Sequence, residues 1–160
     1  MHEAVTPLAP LLGTWRGQAQ GEYPTITSFA YADEWVFTEN GKPFIHFVER
    51  TWIDDEPRHT EMGYLRCPSP GVVEIVAAIP SGQAECGSGS VATGDELVVA
   101  TDAQVLNADT AKQVDRIVRR FTVTPGADGS AAGDTLTYGM EMSAVGEPLT
   151  LHLTATLRRV

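Results

Sequence analysis

A chain of 160 residues, 42% of them hydrophobic, is long enough to bury a sizeable core and is expected to form a single domain over residues 1–160. A net charge of −10, carried by scattered acidic residues rather than a tail, lacks the basic footprint that nucleic acids and anionic membrane surfaces require. Glu74 interrupts the longest apolar run, 72–79, so no segment reads as a membrane span, and residues 1–13 show no basic-then-apolar leader, which predicts a cytoplasmic protein.

In chain order, residues 1–12 have room for one short helical turn, limited by Pro7 and Pro10. Beyond them apolar residues alternate with polar ones, or form short runs rich in Val, Ile, Thr, Phe, Tyr and Trp, as strands do. FAYADEWVFTE (29–39) and PFIHFVERTWI (43–53) read as two strands joined at Asn40-Gly41, a dipeptide suited to a tight hairpin with positive φ at both positions. Asp54-Asp55-Glu56-Pro57 turns into RHTEMGYLR, and Ser69-Pro70-Gly71 opens VVEIVAAI. Pro80-Ser81-Gly82 leads to QAECGSGSV, and Thr93-Gly94-Asp95 leads to ELVVAT. Residues 102–112 read as a loop, 113–124 as a strand, and 125–133 as a Gly/Ala-rich loop tip expected to be disordered. Two strands, 134–145 and 148–159, end the chain.

About ten strands at this spacing predict an all-β fold, an antiparallel up-and-down β-barrel of the lipocalin or fatty-acid-binding kind. Such a barrel is wide enough to hold a ligand, because diameter grows with strand number. Cys67 and Cys86 are the two cysteines and form no Cys-x-x-Cys spacing, so both are expected reduced and a thiolate zinc site is not expected. His59 and Glu61 share one strand face, but the sequence offers no further ligands to complete a metal site with them. No nucleophile elbow, P-loop or dinucleotide fingerprint is present.

The most informative stretch is GTWRGQAQGEYPT, residues 13–25. Its Gly13-x-Trp15-x-Gly17 run combines glycines that permit turns or close backbone approach with an aromatic plug able to seal a barrel end. Together with Tyr23-Pro24-Thr25-Ile26, Arg50-Thr51-Trp52, His59 to Arg66, and Val145 to Leu153, it resembles the nitrobindin family of haem-holding ten-stranded barrels. Ala19 stands where that family usually has a third glycine.

The resemblance implies haem b as cofactor, with His152 as its axial iron ligand and Thr25 and Tyr23 lining the pocket beside the Gly13, Trp15 and Gly17 motif. It implies that Lys112 pairs with a haem propionate, against the alternative of a solvated loop lysine; Thr25 likewise reads as a turn residue after Pro24. It implies a peroxynitrite isomerase that binds nitric oxide and converts peroxynitrite to nitrate at ferric iron, needing no catalytic residue beyond the haem. Two other readings stay open: a non-catalytic carrier of a fatty acid or porphyrin, and a nitric oxide store or sensor.

His152 carries a tension. Alternation alone groups Leu149, Leu151, Leu153, Ala155 and Leu157 on one face, which buries them and leaves His152 in solvent. The resemblance turns the strand over, placing His152 in the lumen and the leucines outward, where they hint at a homodimer.

Overall fold

The computed structural model describes residues 1–127 and 129–160. Ten antiparallel strands close into a barrel: β1 Gly13–Tyr23, β2 Ile26–Glu39, β3 Ile45–Ile53, β4 Glu56–Ser69, β5 Val72–Ile79, β6 Gln83–Thr93, β7 Leu97–Asn107, β8 Val114–Thr124, β9 Thr135–Ala144 and β10 Thr150–Arg159. Each strand pairs with its sequence neighbours, and β1 closes on β10. Closure leaves no free ladder edge to recruit another chain. Among the described residues, no helix is long and apolar enough to cross a membrane.

One end of the barrel is stoppered. Where the sequence suggested a single turn, Glu3–Leu11 form a nine-residue 3-10 helix. Its threefold period stacks Val5, Leu8 and Leu11 on one face, and all three are fully buried. Pro7 and Pro10 fit because their fixed φ matches this helix. Trp15 lies beneath it, its indole N–H donating to the Leu11 carbonyl at 2.7 Å, with the Arg159 guanidinium 4.1 Å from its ring centroid. A layer of Trp35, Phe37, Phe47 and Phe121 follows, in mutual ring contact.

Several local expectations are corrected. The two-residue hairpin with positive φ at both positions is Asp54-Asp55 (φ 53° and 64°), between Ile53 and Glu56. Residues 40–44 form a longer loop in which Gly41 alone adopts positive φ, 78°. Pro43 lies in that loop and brings no N–H to a ladder, so pairing resumes only at Ile45. Residues 102–107 are not loop: they finish β7, where Ala103 is buried between exposed Asp102 and Gln104. Of the 125–133 tip, Ala131–Gly133 form a 3-10 turn, and Asp128 lies outside the described residues.

Candidate functional site

The open end of the barrel leads into a cavity of about 740 Å³. Its apolar wall includes Phe29, Ile53, Ile79, Met140, Met142 and Leu153. The wall is apolar because each strand turns alternate side chains inward. Phe29 can lie flat there because of Gly21, where an added Cβ would fall 2.2 Å from the Phe29 ring.

Two bulges meet at the mouth. Pairing of β1 with β2 shifts between Gly21 and Tyr23, where Glu22 on β1 faces two residues of β2, Thr27 and Ser28, so the bulge lies on β2. Pairing of β10 with β9 shifts between Leu151 and Leu153, leaving His152 as the extra residue. A bulge resets the alternation of inward and outward side chains. His152 and Leu153 therefore both line the cavity, while Ala155 and Leu157 beyond them are buried in the core. This resolves the tension in the sequence: His152 faces the lumen and so do Leu153, Ala155 and Leu157. The outward leucine stripe that hinted at a homodimer is absent; of that set Leu151 alone is a large exposed side chain on β10.

Glu22, opposite the β2 bulge, bonds to the bulged residue of β10. The Glu22 carbonyl lies 2.9 Å from His152 Nδ1. A carbonyl only accepts, so Nδ1 carries the proton and the Nε2 lone pair is left toward the cavity. Burial pulls the His152 pKa below its ordinary value, against the opposing pull of the Glu22 carbonyl, so the ring stays neutral to lower pH. Tyr23 braces the ring edge-on, centroids 5.3 Å apart. The Tyr23 hydroxyl is itself fixed: it accepts from the Ala144 N–H at 3.0 Å and donates to the Met142 carbonyl at 3.1 Å.

Lys112 lines the mouth on the 108–113 loop, which Gln83 steadies by donating to the Lys112 carbonyl at 2.9 Å. Arg58 on β4, which also lines the cavity, was not singled out in the sequence. The other expected pocket residues lie elsewhere. Thr25 is exposed on the β1–β2 turn and is not part of the cavity wall, which agrees with its reading as a turn residue. Gly13, Trp15 and Gly17 belong to the stoppered end, away from the cavity, so their expected cofactor contact is corrected. Ala19 is buried between Tyr31 and Ala155 and narrows no cavity wall.

The floor of the cavity is ionic. Arg119, 1% exposed, donates from Nε and Nη2 to Glu85 at 2.7–3.1 Å, and from Nη1 and Nη2 to Glu61 at 2.5 and 3.1 Å. Its Nη1 also donates to the Tyr138 hydroxyl at 2.7 Å. Burial pushes Glu61 up, yet Arg119 and His59 outweigh it and hold the carboxyl below its ordinary value. Glu85 stays raised by burial despite Arg119, and Glu49 is pushed well up by burial and by the Glu61 and Asp33 charges. Sequence reasoning singled out Glu61, with His59, and missed the rest of this floor. The signal was present, because Glu49, Glu61, Glu85 and Arg119 sit in phase with the inward residues Phe47, Gly63, Gln83 and Phe121.

The chain matches, over residues 4–159, the family described as THAP4-like, heme-binding beta-barrel domain. It belongs to that family. Similar proteins include the peroxynitrite isomerase of Nocardia farcinica, 46% identical over 99% of this chain and 92% of the relative. Peroxynitrite isomerase 2 of Mycobacterium marinum is 45% identical over 99% and 96% respectively. The crystal structure of Rv2717c from M. tuberculosis superposes with a TM-score of 0.91 at 40% identity, covering 100% of this chain and 99% of that one. Membership of a haem-binding barrel family agrees with the cavity, whose mouth presents a neutral imidazole with a free Nε2 lone pair, an apolar wall and two cations.

Proposed function

We propose that the barrel binds haem b, with His152 Nε2 on the iron, takes up nitric oxide, and isomerises peroxynitrite to nitrate. The observation that carries this reading is the β10 bulge that turns His152 inward, where the Glu22 carbonyl holds it as a neutral, hydrogen-bonded imidazole in an apolar cavity. Haem supplies, when bound, an iron centre with one face open to small ligands.

The chain's own residues do the rest. The Glu22 carbonyl fixes the tautomer and rotation of His152 and raises the basicity of Nε2. Tyr23 limits tilting of the ring. Phe29, Met140, Met142 and Leu153 exclude water, which strengthens every electrostatic interaction inside. Lys112 and Arg58 offer charge-assisted hydrogen bonds to the haem carboxylates. No residue of the wall is asked to act as a general base, since isomerisation needs no net proton transfer. The named activity of the Nocardia and Mycobacterium relatives supports the same reading.

The test is titration of haem into the purified haem-free chain and into His152→Ala. A Soret band that survives gel filtration in the wild type and is lost in the variant is the expected result, with nitrate formed from peroxynitrite only by the wild type. A chain that instead copurifies with lipid and develops no Soret band on haem addition is a carrier, and the proposal fails.

A further inference from the structure

Glu49 on β3 and Glu61 on β4 stand directly opposite each other in register, and both are almost fully buried. Like charges placed so oppose each other strongly unless something lies between or beside them. Arg119 engages both oxygens of Glu61 but gives Glu49 no bond. Glu49 Oε1 is buried with no hydrogen-bond partner. His59 stands beside the pair, its Nε2 3.7 Å from Glu61 Oε2. One ligand atom from each of Glu49, His59 and Glu61 lies within 4.8 Å of the others. A second, separate signal comes from β2: the Tyr31 hydroxyl, on a side chain 5% exposed, lines the same cavity and also lacks a partner.

We propose that Glu49, His59 and Glu61 form a binding site for a divalent transition-metal ion, with the Tyr31 hydroxyl facing its remaining coordination position. One imidazole and two carboxylates, with no thiolate, suit Zn²⁺ or Mn²⁺ and not a soft monovalent ion. Three protein ligands with a fourth position open to a cavity is the arrangement of an accessible rather than a purely structural site. The composition agrees: four buried carboxyl groups, on Asp33, Glu49, Glu61 and Glu85, outnumber the one buried cation among them, Arg119. Carboxylate oxygens keep lone pairs free after bonding a guanidinium, so Glu61 serves Arg119 and the ion together. The site is separate from His152, which contributes no ligand to it.

The experiment is titration of Zn²⁺ into the full haem-free chain against a chromophoric chelator, repeated with Co²⁺ to read the ligand field by visible absorption. The expected result is one ion per chain, held about tenfold or more weakly in Glu49→Gln and in His59→Ala, and unchanged in His152→Ala. The Co²⁺ band shifts in His59→Ala and in Tyr31→Phe. Thermal unfolding of each variant shows whether the fold is kept; His59→Ala, half exposed, removes a ligand without opening the core. Absence of stoichiometric binding, or binding indifferent to Glu49 and His59, overturns the site and leaves protons alone to neutralise Glu49. Binding that follows His152 instead also overturns it, and says nothing against haem ligation.

Discussion

Arg119 is the one buried guanidinium in a wall of carboxylates, and its hydrogen bonds to Glu61, Glu85 and Tyr138 account for every N–H direction that faces the floor. Replacing it with Met leaves two carboxylates in a nearly dry interior. Arg119→Met is expected to lose about 3–5 kcal/mol of stability in urea unfolding, with part of the loss recovered when Glu61→Gln is added. Arg119→Lys does not rescue it, because an ammonium cannot match two carboxylates in a planar fork. His152 is the opposite case, a residue whose surroundings leave one nitrogen unused on purpose of its chemistry. The sequence marked His152 by resemblance and marked Arg119 by nothing but phase. A charged residue in step with Ile117 and Phe121 is an inward charge, and such a residue needs partners from strands that only the closed barrel brings together.

At the level of strands, the alternation of side chains was legible and the breaks in it were not. β5 runs as its pattern indicates, because its inward positions are Val73, Ile75 and Ala77, whereas β8 shifts register between Val114 and Arg116 before settling into the inward run Ile117, Arg119, Phe121 and Val123. The bulge at His152 carries no signal in composition; it inserts a residue without changing the residue types on either side. β10 was therefore read in a single phase, which forced a choice between burying the leucines and burying the histidine. The β1–β10 seam gives a further test. An added Cβ at Gly17 would lie 2.2 Å from the Thr156 carbonyl oxygen and 3.0 Å from Leu157 Cα, both backbone atoms with little freedom to yield. Gly17→Ala is expected to cost about 1–3 kcal/mol by forcing the two strands apart, seen as a lowered midpoint in thermal unfolding. Gly17 thus belongs to barrel closure, which is why its motif lies far from the cavity.

Across the whole barrel, charge sets how it responds to conditions. Burial pushes Asp33 from 3.8 up to about 7, against the bond from the Trp35 indole N–H, with Glu49 and Glu61 nearby. The unfolded carboxyl ionises at lower pH than the folded one. The stability that protonated Asp33 contributes is therefore complete below about pH 4 and lost as pH rises through about 7. Between about pH 5 and pH 8 the thermal midpoint of the wild type should fall more than that of Asp33→Asn. The surface acts at longer range. A net charge of −10 repels anions, and Lys112 and Arg58 offset it only locally. On the proposed reading, azide should enter the haem-loaded protein faster as salt rises from ~10 to ~150 mM, because the screening length falls from ~30 to ~8 Å. Lys112→Glu should enter more slowly at every salt concentration, and stopped-flow absorbance reads both.

The stopper formed by the first eleven residues has a kinetic corollary. With its far end filled by Leu8, Leu11 and Trp15, the vessel opens at the opposite end, where Lys112 and His152 stand. Whatever is made inside departs against the stream of what arrives, and a bulky occupant lodged in that opening imprisons any smaller molecule behind it until it lets go.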